Sequence, residues 1–138
     1  MMNIRFAFAV VLVMELAGCV VQTVPDMPGF PARTILDPLL TRRNPSAGVL
    51  SVRREAAPSV DECRHRIFLD GNAVADLRPN EVVTIYAPPG PHILRAELTG
   101  PSCQGGNEIA ATSEKGRWHS FITTHLSSSG ALLLATAE

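Results

Sequence analysis

Charge is scarce in this sequence and nearly cancels: 12 lysines and arginines stand against 13 aspartates and glutamates, for a formal net charge of −1. With no basic field and no acidic tail, the chain lacks the electrostatic footprint that holds nucleic acid. It also lacks a long hydrophobic run. The apolar stretch Phe6 to Met14 falls well short of the roughly 20 residues that cross a bilayer as a helix. Long helices find little room either, because 11 prolines and 10 glycines favour turns. Motifs of covalent catalysis are missing: there is no Gly-x-Ser-x-Gly elbow and no Ser-x-x-Lys pair. No Cys-x-x-Cys occurs, so the usual zinc spacing is missing too.

What is present begins at the N-terminus. Arg5 supplies a positive charge, Phe6 to Met14 an apolar stretch, and Leu16-Ala17-Gly18-Cys19 a small-residue cleavage site, which together read as a secretory signal over residues 1–18. Leu16 to Cys19 resembles the lipobox of bacterial lipoproteins, in which signal peptidase II cuts before a lipid-modified cysteine. That resemblance implies a diacylglycerol bearing palmitate-like chains on Cys19, often with a third chain on its amine. At about 0.8 kcal/mol per buried methylene, two or more chains hold a protein stably on a membrane where one does not. Val20 stands where Asp commonly retains a lipoprotein in the inner membrane, so the expected location is the periplasmic face of the outer membrane.

Residues 19–46 are expected to be a tether. Pro25, Pro28, Pro31, Pro38 and Pro45 leave no room for a helix of normal length, and such segments tend to extended conformations. Asp37 is positioned to cap a single turn through Pro38, Leu39 and Leu40. Arg42 and Arg43 read as solvated cations.

Residues 47–138 carry the pattern of short strands. Val49 to Val52, Ile67 to Leu69, Ala73 to Leu77, Val82 to Tyr86, Ile93 to Leu98, Glu108 to Ser113, Trp118 to Leu126 and Ala131 to Ala135 are each β-branched, aromatic or alternating, and each is bounded by turn residues. Asp70-Gly71-Asn72 is a hairpin signal, since Gly and Asn tolerate positive φ. The expected architecture is all-β: a small antiparallel β-sandwich or partly open barrel of seven or eight short strands. The run Phe68-Leu69-Asp70-Gly71, then Leu77 to Glu81, then Pro89-Gly90-Pro91-His92 resembles PEGA-type domains, with Pro79-Asn80 where that pattern usually places a glycine. The resemblance implies a compact β-module used for anchoring or interaction. It transfers no catalytic residue.

With Cys19 lipidated, Cys63 and Cys103 remain, and in an oxidising periplasm they are expected to form a disulfide. The alternative is a metal site from Cys63, His65, His92 and Cys103. The bond would require the Ile67 and Ile93 strands to lie antiparallel as neighbours, with Cys63 at the far end of the second. His119 and His125 are too far apart on one strand to share a metal unaided. Asp70 reads as a turn residue rather than half of a carboxylate pair with Asp76. Trp118, Tyr86 and Phe121 are the candidate binding surface, because large rings on a sheet make platforms for carbohydrate or peptide; the alternative, in a chain with so few aromatics, is that they belong to the core. The sequence thus points to a non-enzymatic lipoprotein without cofactor or metal. Its expected work is contact with an envelope protein; the alternative is binding of a cell-wall glycan or small envelope ligand.

Overall fold

The computed structural model describes residues 29–56, 63–126 and 131–137. The expected signal peptide and Cys19 lie outside these residues. Among the described residues, ten strands form two five-stranded sheets. In chain order they are β1 (Phe30–Pro31), β2 (Thr34–Ile35), β3 (Gly48–Arg54), β4 (Arg64–Leu69), β5 (Asn72–Leu77), β6 (Glu81–Ala87), β7 (Gly90–Thr99), β8 (Gly106–Ser113), β9 (Trp118–Leu126) and β10 (Ala131–Ala137). The first sheet runs β1-β6-β3-β9-β10 and the second β2-β5-β4-β7-β8. The molecule is a small β-sandwich; the sheets do not close into a barrel.

The eight strands expected from the sequence are all present. The other two lie in the segment expected to be free tether, and this is a correction. Residues 29–41 form a strap that crosses from one sheet to the other: β1 pairs with β6 of the first sheet, and β2 pairs with β5 of the second. Proline is tolerated here because both strands lie at sheet edges, where one row of amides has no ladder partner. Asp37 caps as expected, accepting the Leu39 amide at 3.0 Å, and the chain makes a single turn there. A second correction concerns direction. The pairs of the second sheet are all antiparallel, but β1–β6 and β3–β9 of the first are parallel. The long excursion through the second sheet between β3 and β9 is what permits their parallel pairing.

Turn chemistry sets the hairpins. Asp70 and Gly71 both have positive φ, 50° and 84°, the geometry of a two-residue hairpin loop matched to strand twist. Asn80 takes φ 63° in the turn into β6, a left-handed position that Asn tolerates better than most residues. Glu81 closes that turn with its carboxylate, which accepts the Arg78 amide at 2.8 Å.

Alternation then builds the core. Leu50 and Val52 of β3, Val83 and Ile85 of β6, and Phe121 of β9 face Ile67 and Leu69 of β4, Leu77 of β5, and Leu94, Ala96 and Leu98 of β7, all of them buried. Several buried polar groups lie within this interior, and each bridges the two sheets. Ser113 Oγ of β8 donates to the Ala87 carbonyl of β6 at 2.9 Å. His65 Nδ1 of β4 lies 3.1 Å from Thr123 Oγ1 of β9. Arg54 of β3, 1% exposed, donates through Nη1 to the carbonyls of Cys63 at 2.7 Å and Leu77 at 3.1 Å. Hydrogen bonds in a low-dielectric interior are directional, so they fix how one sheet lies over the other in a way apolar contact alone does not.

Candidate functional site

The outer face of the first sheet holds a hollow. Strand parity puts Val49, Ser51 and Arg53 of β3 on that face, with Val82, Thr84 and Tyr86 of β6 and Trp118, Ser120 and Ile122 of β9 beside them. Over this face runs the strap. The cavity between them, about 400 Å³, is lined by Gly29, Ala32, Thr41, Ser51, Thr84 and Trp118, among others. That volume lies in the lower part of the range of small-ligand sites, about 300–1,000 Å³. Ser51 is fully buried although it faces outward, which shows how closely the strap covers this part of the sheet. Trp118 forms one end of the hollow, its indole N–H donating to Ser120 Oγ at 3.1 Å. Ser51 Oγ and Thr84 Oγ1 lie 3.5 Å apart at the floor of the hollow, and because Ser51 is fully buried, Thr84 is the hydroxyl of the pair that is open to a ligand.

The three expected surface rings divide. Trp118 and Tyr86 share one row, joined through Val49, which pairs with both. Trp118 lines the hollow and Tyr86 does not. Phe121 is corrected outright: it is 4% exposed and lies in the core. Three residues separate it from Trp118, and an odd spacing on a strand sends two side chains to opposite faces. That signal was available in the sequence. No sequence signal marked Ser51 or Thr84, whose role depends on which segment covers them.

The cysteines behave as expected. Cys63 and Cys103 are joined, with α-carbons 5.8 Å apart, at the end of the β4–β7 ladder where Arg64 pairs with Thr99. β4 and β7 are antiparallel neighbours, as that bond requires. Because both thiols are consumed, the metal set of Cys63, His65, His92 and Cys103 does not form. His65, His119 and His125 lie on core-facing positions, with the rings of His65 and His125 edge to face at 6.4 Å. None of the three lines the hollow. Asp76 is held by Arg66 through two bonds of 2.8 and 3.0 Å.

His92 and Asp70, 22 residues apart, form a clasp between the β4–β5 turn and the start of β7. His92 Nδ1 lies 2.6 Å from Asp70 Oδ2, and its Nε2 lies 2.6 Å from the Pro88 carbonyl. Both ring nitrogens face pure acceptors, so the arrangement calls for a doubly protonated imidazolium. The Ile93 amide donates to the other Asp70 oxygen at 2.8 Å. Burial pulls the His92 pKa down, but the bonds to Asp70 and Pro88 and the Asp70 charge outweigh it, and the value is raised. The bond from His92, with that from the Ile93 amide, holds the Asp70 carboxyl below its ordinary range against some desolvation.

The signs define a window. A raised His92 contributes stability fully below its ordinary 6.5 and loses it as pH climbs through the raised value. A lowered Asp70 contributes above its ordinary 3.8 and loses that as pH falls through the lowered value. The clasp is therefore complete between pH 3.8 and 6.5. The gap in thermal midpoint between the native protein and His92→Gln is expected to be widest there and to shrink toward pH 9. A gap that stays constant across that range would show that His92 acts only by packing.

The chain matches no protein-family model, no curated protein and no solved structure, so the use of this site has to be read from its own geometry.

Proposed function

We propose that this chain is a non-enzymatic binding module of the bacterial cell envelope, held at the periplasmic face of the outer membrane by lipid on Cys19, and that it receives a small envelope ligand in the strap hollow. The observation that carries this reading is the hollow itself. An aromatic wall, a hydroxyl floor and a partly enclosed volume meet on one face, and Trp118 belongs to all of it. Ligand sites typically combine an apolar surface with a few placed polar groups. The non-enzymatic part is supported by where the ionisable groups sit. The histidines face the core or the Asp70 clasp, and Asp76 is spent on Arg66. A cell-wall glycan fragment is the ligand this chemistry suits, since a sugar offers an apolar ring face to Trp118 and hydroxyls to the floor.

Contact with an envelope protein is the second reading, and one observation favours it. The strap exposes Phe30 and Leu39, 67% and 73% accessible, with Ile35 and Leu36 also open to solvent. Trp118 is the only tryptophan in the chain, so intrinsic emission of the mature protein reports on the hollow directly. A saturable emission change with soluble fragments of digested cell wall is the expected result. No change, together with a native-envelope cross-link that disappears in a Phe30→Asp, Leu39→Asp variant, would transfer the function to protein contact.

The anchor has its own test. The mature protein should partition into detergent, and Cys19→Ala should abolish that partition and release the protein from the outer-membrane fraction. A Cys19→Ala protein that still fractionates with the outer membrane would remove the lipid from this account.

A further inference from the structure

The strap leaves a gap in its bonding to β6, and the gap opens into the hollow. The Ala32 amide donates to the Val82 carbonyl at 2.8 Å, and farther along the Tyr86 amide donates to the Leu40 carbonyl at 2.8 Å. Alternate residues of an edge strand present their amide and carbonyl to the same side. Thr84, midway between Val82 and Tyr86, therefore aims its N–H and C=O at this edge. Among the described residues, no backbone bond from the strap reaches either group. Val82, Val83 and Thr84 all line the hollow, so it lies against this stretch of β6.

We infer that the hollow recognises a single secondary amide carried on a sugar ring: an N-acetylated amino sugar, its acetamido group meeting the Thr84 N–H and C=O while its ring lies against Trp118. The inference rests on the ligand-binding reading above and names the ligand class. One donor and one acceptor side by side on a strand edge complement one amide, whose carbonyl accepts and whose N–H donates. An extended peptide would need a row of such pairs to add a strand. Here the row is one residue long, closed on one side by the Ala32 bond and on the other by the Leu40 bond. Thr84 and Thr41 also line the hollow, and hydroxyl side chains of this kind suit ring hydroxyls. An unoccupied amide edge in a hollow costs free energy unless it is solvated or paired, so a ligand amide that replaces water loses nothing there.

The test compares trimers of N-acetylglucosamine, glucosamine and glucose by Trp118 emission of the mature lipoprotein in detergent, beside a blocked alanine tripeptide and the soluble cell-wall digest. The N-acetylated trimer is expected to bind about tenfold to a hundredfold tighter than either of the other sugars, the range for two net hydrogen bonds. Thr84→Pro removes the edge donor without touching the β3 ladder, and it is expected to erase that preference. If Thr84→Pro does not fold, the sugar comparison on the native protein decides alone. Equal binding of all three trimers overturns the acetamide contact. Binding of the tripeptide in place of the sugars overturns the ligand class in favour of peptide. A digest that binds while the N-acetylated trimer fails to compete overturns the class but leaves the binding module standing. If neither binds, both fall together.

Discussion

Reduction of the Cys63–Cys103 bond is expected to lower the free energy of unfolding by about 4 kcal/mol, the chain-entropy value for a loop of this size. The closed loop spans a sequence separation of 40 residues and holds β4, β5, β6 and β7, four of the strands that build the core. In the unfolded chain the bond prevents those strands from wandering apart, so its loss raises the entropy of the unfolded state while native contacts persist. For a domain this small the effect is a large fraction of the whole, since total stabilities run to about 5–15 kcal/mol. Urea unfolding with and without reductant measures it, and Cys63→Ser, Cys103→Ser should match the reduced protein. A midpoint that does not move on reduction would mean that the loop is already confined in the unfolded chain.

The second large effect is expected at Arg54, the largest fully buried side chain among the described residues. Arg54→Met keeps the length and removes the donor, which deprives the Cys63 and Leu77 carbonyls of it. At about 1–3 kcal/mol for each buried group left unsatisfied, the loss should fall between about 2 and 6 kcal/mol. Arg54→Lys is expected to recover little, because a point ammonium on a flexible stem does not reproduce the planar fork of a guanidinium. Chemical denaturation with the disulfide intact reads both variants. A neutral Arg54→Met would mean that apolar packing replaces the bonds without loss, an outcome known for some buried ionic groups. Arg54 and the disulfide hold the same residue, Cys63, from two directions. The two perturbations should therefore couple rather than add, and a double-mutant cycle with Arg54→Met in the reduced and oxidised protein exposes that coupling.

Both effects concern how the start of β4 is pinned, and only one was legible in the residues. The disulfide followed from counting cysteines. No local signal marks Arg54, because an arginine beside Arg53 and Glu55 has the composition of a solvated strand end until the second sheet covers it. The same limit applies to the clasp. Asp70 announced a turn and His92 ends the Pro89-Gly90-Pro91-His92 run, but no local pattern joins residues 22 apart. For the strap, proline was the misleading feature. Its fixed φ suits a solvated extended tether and an edge strand equally well, and only the presence of two bare sheet edges decides between them.

By itself the sequence determined the fold class, the places of eight strands, the Asp70-Gly71 hairpin and the cysteines available for a disulfide. These are consequences of period, turn chemistry and composition, all properties of residues close together in the chain. The tertiary structure alone decided that residues 29–41 cross both sheets, that β3 and β9 pair in parallel, which of the two opposed rings, Phe121 or Trp118, faces the core, and that the edge of β6 is left open at Thr84. Each of these depends on which distant segment arrives to cover a strand. That choice is settled by the burial of the whole chain at once, and no window of sequence contains it.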